Sequence, residues 1–172
     1  MRNARAETER LILRPPARAD VPALFAFMGD PVAMRHTHVQ ASLRDCRRHV
    51  AGHEWQRRRL GYAPWVIVTK TDERVIGWGG IYDDPFDRGW GPEVGYFFHP
   101  DAWGHGFATE LVRRCAELAD RELRLPALAA FAHPSNAASR RVLEKAGFGV
   151  VRFVPEMDRL LFRRCCPDVT AA

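Results

Sequence analysis

Glu93, Gly104, Gly106, Asn136 and Ser139 are the residues of this 172-residue chain whose types and spacing could do chemistry together. Glu93 heads a β-favouring run, Glu93-Val-Gly-Tyr-Phe-Phe98, and a carboxylate there can act as a general base. His99 and Pro100 end that run, Gly104 and Gly106 follow, and a helical pattern opens at about Phe107. A strand, a glycine turn and a helix start, in this order, make an anion site. The first N–H groups of a helix lack internal partners, its dipole adds positive potential, and glycine lets a phosphate come close. Glycines alone are weak grounds, because turns use them for backbone reasons. Asn136 and Ser139 strengthen the case: they sit one helical turn apart at the start of a later helix, on about the same face.

The elements that must position these residues can be read in order. Thr8 to Arg14 is a first strand, closed by Pro15-Pro16. Asp20 is placed as the N-cap of a helix with Val21, Leu24, Phe25 and Met28 on one face. Ser42, with Asp45 three residues on, opens a basic surface helix to about Arg59 with a thin stripe of Leu43, Cys46 and Val50. Ala63 to Lys70 and Arg74 to Tyr82 form a hairpin, followed by an acidic loop with Asp83, Asp84 and Asp87. The strand from Glu93 to Phe98 leads into a helix from about Gly104 to Arg124, with Phe107, Leu111, Cys115, Leu118 and Leu123 inward. A strand from Leu128 to Ala132, a helix ending at Gly147, and a closing pair from Gly149 to Val154 and Arg159 to Arg164 complete the chain.

Composition narrows the class. Hydrophobic content of 47% and charged content of 27% suit one globular domain. No apolar run approaches the ~20 residues of a membrane span, and no signal-peptide core follows the N-terminus, so a cytoplasmic protein without a membrane partner is expected. The net charge of +5 suits an anionic cofactor, as it would a merely arginine-rich surface. With no basic tail, zinc finger or aromatic RNA-binding signature, nucleic acid is not an expected partner. Cys46, Cys115, Cys165 and Cys166 have no CxxC spacing; reduced structural thiols and no metal are expected.

The stretch Glu93–Glu110 with Asn136-Ala-Ala-Ser-Arg-Arg-Val-Leu-Glu-Lys-Ala-Gly-Phe148 resembles the GNAT superfamily of acetyl-CoA-dependent N-acetyltransferases. The opening Thr8-Glu-Arg-Leu-Ile-Leu-Arg-Pro15 and Val75-Ile-Gly-Trp-Gly-Gly80 are similar to its branch that acetylates the N-termini of ribosomal proteins. The resemblance implies one α/β N-acetyltransferase domain over residues 8–164, with a tail at 165–172. Its sheet would be mixed and largely antiparallel, with about seven strands, about four helices and a central splay for the coenzyme. It also implies acetyl transfer from acetyl-CoA to a primary amine by direct attack. The family's phosphate loop, R/Q-x-x-G-x-G/A, falls on Trp103, Gly106 and Ala108, so Trp103 departs from the pattern. The amides of Gly104, His105, Gly106, Phe107, Ala108 and Thr109 would cradle the coenzyme diphosphate. Phe98, His99 and Pro100 match the strand end where pantetheine lies, with an amide near Phe98 polarising the thioester.

Roles at the remaining positions stay open between two readings. Asn136 matches a coenzyme-contacting position and is equally a good N-cap. Ser139 matches a position near the departing thiolate and could be a plain surface serine; no tyrosine lies in its helix to replace it. Glu93 is the candidate base, or else an exposed acid paired with an arginine, with His99 and His36 as fallbacks. Asp83, Asp84 and Asp87 could draw in a cationic amine or form a solvated turn. The acceptor, a protein N-terminus or a small molecule, has no readable code, and exposed aromatics such as Trp90 would suit a homodimer or a substrate cleft. The alternative function is a non-catalytic acyl-CoA-binding regulatory module.

Overall fold

Val, Ile, Trp and Tyr crowd two stretches that alternate in side-chain direction, β3 (Trp65–Thr69) and β4 (Val75–Tyr82), and these pair as an antiparallel hairpin at the centre of one sheet. The computed structural model describes residues 5–87 and 89–165. On one side of the hairpin β2 (Leu11–Arg14) pairs with β3, and a two-residue β1 (Ala6–Glu7) edges β2. On the other side come β5 (Glu93–Phe98), β6 (Ala127–Ala132), β8 (Arg159–Cys165) and, at the far edge, β7 (Gly149–Val154). The order is β1-β2-β3-β4-β5-β6-β8-β7, and β5 with β6 is the parallel pair. The strand count is therefore eight rather than about seven; β1 is too short to show a period in the sequence.

Period-two alternation gives each face of the sheet its own core. On one face α1 (Val21–Met28) and α2 (Leu43–Leu60) pack Leu24, Phe27, Cys46 and Val50 on Val66, Val68 and Trp78. On the other, α3 (Phe107–Leu118) and α4 (Ala137–Lys145) bring Leu111, Cys115 and Leu143 against Leu13, Ile67, Ile81 and Phe98. Among the described residues no helix is long and apolar enough to cross a membrane.

Several local expectations need correction. Asp20 does not cap α1 with its side chain. Its carboxylate reaches back to the Ala17 N–H at 2.6 Å and takes both arms of the Arg14 guanidinium at 2.7 Å. An Arg fork is a stronger partner than a helix amide. In α2 the Ser42 cap forms as expected, accepting from Asp45 N–H at 3.1 Å. Leu43 is exposed, however, and His53 and Gln56 carry the buried stripe onward, so this helix is more deeply seated than a surface helix. The third helix opens at Phe107, the later of the two starts the sequence suggests, because Gly104 and Gly106 both have φ near +80°. Beyond Leu118 it widens into a π-helical turn to Leu123 and stops at Arg124, φ +52°. Trp90 is half-buried, edge-on to Phe131 at 5.2 Å, rather than exposed. Of the tail at 165–172 only Cys165 lies within the described residues, where it ends β8.

Candidate active site

Strands β5 and β6 meet at a single parallel step, Glu93 opposite Ala129, with the Ala129 N–H donating to Pro92 O at 2.9 Å. Beyond that step they part. Hydrogen-bond parity then decides what faces the gap. His99 N–H donates to Ile76 O on the β4 side, and in an antiparallel ladder the direction alternates residue by residue. Counting back along the register, Phe98 and Tyr96 turn their N–H groups away from β4, toward the opening. The same alternation puts Glu93, Gly95 and Phe97 on the α2 face and Tyr96 and Phe98 on the α4 face. A cavity of about 1060 Å³ runs through the gap, so one opening is lined from both faces of the sheet.

At the end of β5 the chain turns into α3 through Trp103–Gly106. The N–H groups from Gly104 to Thr109 have no protein acceptor among the described residues, and Gly106 at the N-cap position offers no side-chain cap. A Cβ built on Gly104 would meet nothing within 4 Å, and one on Gly106 only Arg10 Nη2 at 3.6 Å. The turn is held from outside. Arg10 donates to His105 O at 2.9 Å, pairs with Glu110 at 2.7 Å and lies 4.6 Å over the Phe107 ring. Thr8 Oγ1 donates to Glu110 as well, at 2.5 Å. Bracing through a carbonyl and side chains leaves the amides free, and a run of free amides at a helix start suits a diphosphate. Trp103 keeps a donor after all, since its indole N–H bonds Phe98 O at 3.1 Å and turns the strand end into the loop. His99 and Pro100 lie off the cavity wall: His99 Nδ1 accepts the Asp101 N–H and its ring meets Phe27 edge-on.

Glu93 is 5% exposed and no cation pairs with it among the described residues, so the exposed, arginine-paired alternative is not what the fold builds. Burial, then Asp84, Asp87 and Asp83, push its carboxyl up to about 8. The acidic loop divides. Asp84 and Asp87 line the cavity, and Asp84 accepts the Phe86 and Asp87 N–H groups, while Asp83 takes the Tyr62 hydroxyl at 3.0 Å outside it. His36 lies on the cavity wall stacked on His133 at 5.4 Å, its imidazole pushed down by burial and by Arg35, His133 and Arg159.

Across the gap, Tyr96 Oη lies 2.9 Å from Ser139 Oγ. Burial pushes the phenol up to about 12, so it stays protonated and available as a donor. Asn136 caps α4 through the Ser139 N–H at 3.1 Å, realising its N-cap reading, and is also a residue of the cavity wall. Tyr96 and Arg10 are among the residues of this site that the sequence did not single out. For Tyr96 a signal exists: two-residue alternation from Glu93 assigns it to the opposite face, toward α4. Arg10 meets the loop across 95 positions, and nothing local to it announces that contact.

Residues 10–149 match the family described as acetyltransferase (GNAT) domain. The chain is similar to the uncharacterized protein YkkB of Bacillus subtilis (strain 168), 30% identical over 141 residues covering 81% of this chain and 82% of the relative. It is also similar to the uncharacterized N-acetyltransferase YoaA of that organism, 28% identical with 85% of each chain covered. Among solved structures, an acetyltransferase from Agrobacterium tumefaciens superposes with a TM-score of 0.79 at 25% identity, covering 93% of both chains. The ribosomal-protein-S5-alanine acetyltransferase from Vibrio fischeri shares the fold at a TM-score of 0.75 and 15% identity, with 96% of this chain and 98% of that one covered.

Proposed function

The chain belongs to the acetyltransferase (GNAT) domain family, and on that premise we propose that it carries acetyl from acetyl-CoA to a primary amine in one direct step. Acetyl-CoA is the acyl donor of this acyltransferase and supplies an activated thioester. The free amides from Gly104 to Thr109 hold the diphosphate, and Arg10 keeps the loop in the shape that exposes them. Separation of β5 from β6 leaves room for the pantetheine arm beside the Tyr96 and Phe98 amides. The Phe98 N–H donates to the thioester oxygen as charge builds there, a type of contact worth roughly 3 kcal/mol.

Glu93 works from the α2 face. An ammonium beside it restores the attraction that burial and three aspartates remove, so the carboxylate forms where the proton must be taken. The proton moves from the ammonium to Glu93, directly or through a water, and the freed nitrogen attacks the carbonyl carbon. As the C–S bond breaks, the Tyr96–Ser139 hydroxyl pair on the α4 face donates a proton to the sulfur, and the second proton shed by the acylated nitrogen restores the pair. The products are an acetamide and the free thiol. The observation that carries this reading is the approach of base and donor to one gap from opposite faces of the sheet.

An acceptor screen tests it: thiol release from acetyl-CoA, followed across peptides with free N-termini and small amines, for wild type, Glu93→Gln and Ser139→Ala. Amine-dependent release that collapses in Glu93→Gln is expected. Coenzyme binding with no release for any amine would contradict the proposal and point to a binding module.

A further inference from the structure

The cavity wall on the α2 side is built from rings. His49 and His53 stand one helical turn apart with centroids 4.8 Å from each other. His53 meets Trp78 at 4.9 Å and Tyr82 at 5.0 Å, both edge-on. Phe86 stacks on His49 at 5.5 Å and 11°, and its ring tip rests against Gly52, where a Cβ would come within 2.9 Å. The Tyr82 hydroxyl reaches over Gly95, so the box ends two residues from Glu93 on the same strand face; a Cβ at Gly95 would lie 2.5 Å from that oxygen. All five rings line the cavity that holds Glu93.

Two properties set what such a box can bind. Five buried side-chain polar atoms have no hydrogen-bond partner among the described residues, and three of them, His49 Nε2, His53 Nδ1 and Trp78 Nε1, belong to this wall. An unsatisfied buried group costs about 1–3 kcal/mol, so three together mark a place that a polar ligand completes. Charge is the second property. Burial pushes His49 down to about 4 and His53 to about 3, which leaves both rings neutral at ordinary pH. The carboxyl groups of Glu93, Asp84 and Asp87 stand together; Asp45 also lines the cavity, one turn before His49, but its oxygens are taken by Arg48 at 2.9 Å and by the Ser42 hydroxyl at 2.6 Å. Neutral ring walls favour a flat ring and the face of a cation. A polyamine or polycationic sugar brings several charges, and only one end of the box can answer them.

We infer that this box holds the body of the acceptor, a small arylalkyl primary amine whose ring carries a hydrogen-bonding nitrogen or oxygen, with the ring against the wall that His49, His53 and Trp78 form and the amine at Glu93. The inference rests on the amine-acetylation reading above and specifies its substrate class. The test compares tyramine, histamine and tryptamine with pentylamine, spermidine and a short peptide bearing a free N-terminus, by thiol release on the full chain. The ring amines should exceed pentylamine in kcat/KM by about tenfold or more. His49→Ala should raise KM for tyramine by about tenfold while KM for acetyl-CoA holds. Calorimetric titration of tyramine into CoA-saturated protein should lose affinity by the same factor in that variant. Equal or better turnover of pentylamine, spermidine or the peptide overturns the ring-binding inference and leaves amine acetylation standing. Failure to acetylate any amine, with CoA still bound, overturns the acetylation reading and the box's role with it.

Discussion

Exchanging Glu93 for Gln removes a titrating group from a place where ionisation is costly, and the cost can be read as stability. The carboxyl is nearly buried and rises from 4.5 to about 8, through burial first and then through Asp84, Asp87 and Asp83. Below the lower value both the folded and the unfolded chain carry the proton and nothing is lost. Between the two values the unfolded chain ionises while the folded chain holds its proton, so stability falls as pH rises and the loss is complete above about 8. The full penalty is on the order of 5 kcal/mol. Gln cannot ionise, and the variant lacks this slope. Urea denaturation of both proteins at about pH 5.5 and about pH 9 should therefore show the variant gaining about 3 kcal/mol relative to wild type at the higher pH. Turnover should move the opposite way, falling about a hundredfold or more. The rise of wild-type kcat/KM through about pH 8 should also vanish. A stability gap that ignores pH would refute the buried, uncharged carboxyl; unchanged turnover would refute its role as base.

Three further outcomes are expected. Gly106→Val places a β-branched residue at φ +81°; it should destabilise the fold by about 1–2 kcal/mol and weaken CoA binding in calorimetry at least about tenfold. Tyr96→Phe should lower kcat about tenfold with KM for acetyl-CoA unchanged, and Ser139→Ala should lower it too; full activity in both would remove the hydroxyl pair from the mechanism. His49 and His53 have lowered values, so between about pH 6.5 and 4 the unfolded chain takes up protons that the folded chain refuses, and stability falls as pH falls. Replacing both by Gln should flatten that acid slope in urea midpoints.

What the sequence made legible was local. Ser42 with Asp45, the glycine pair at 104 and 106, and the glycine at 147 each announce a helix end through their own neighbours, and each stands where expected. Glu93 was legible as a carboxylate at a strand head, but its burial was not, because it depends on how the acidic loop just before it folds back and on α2, which comes from elsewhere in the chain. The Ser139 helix has no tyrosine of its own, whereas the fold brings Tyr96 to it from β5, 43 positions away. Asp20 misled for the opposite reason: its helix-start position is a good cap, and a partner six residues back, Arg14, outcompetes the cap. The gap between β5 and β6 has no residue signature of its own. It arises because a parallel pair is made at one step and then abandoned.

The most direct measurement of the central claim is a set of amide proton–nitrogen spectra recorded while CoA is added to the full chain. Binding of the diphosphate by backbone N–H groups predicts saturable shifts concentrated on Gly104, His105, Gly106, Phe107, Ala108 and Thr109, with Phe98 following as the pantetheine arm enters. Saturable binding that leaves those resonances in place and moves others would contradict it.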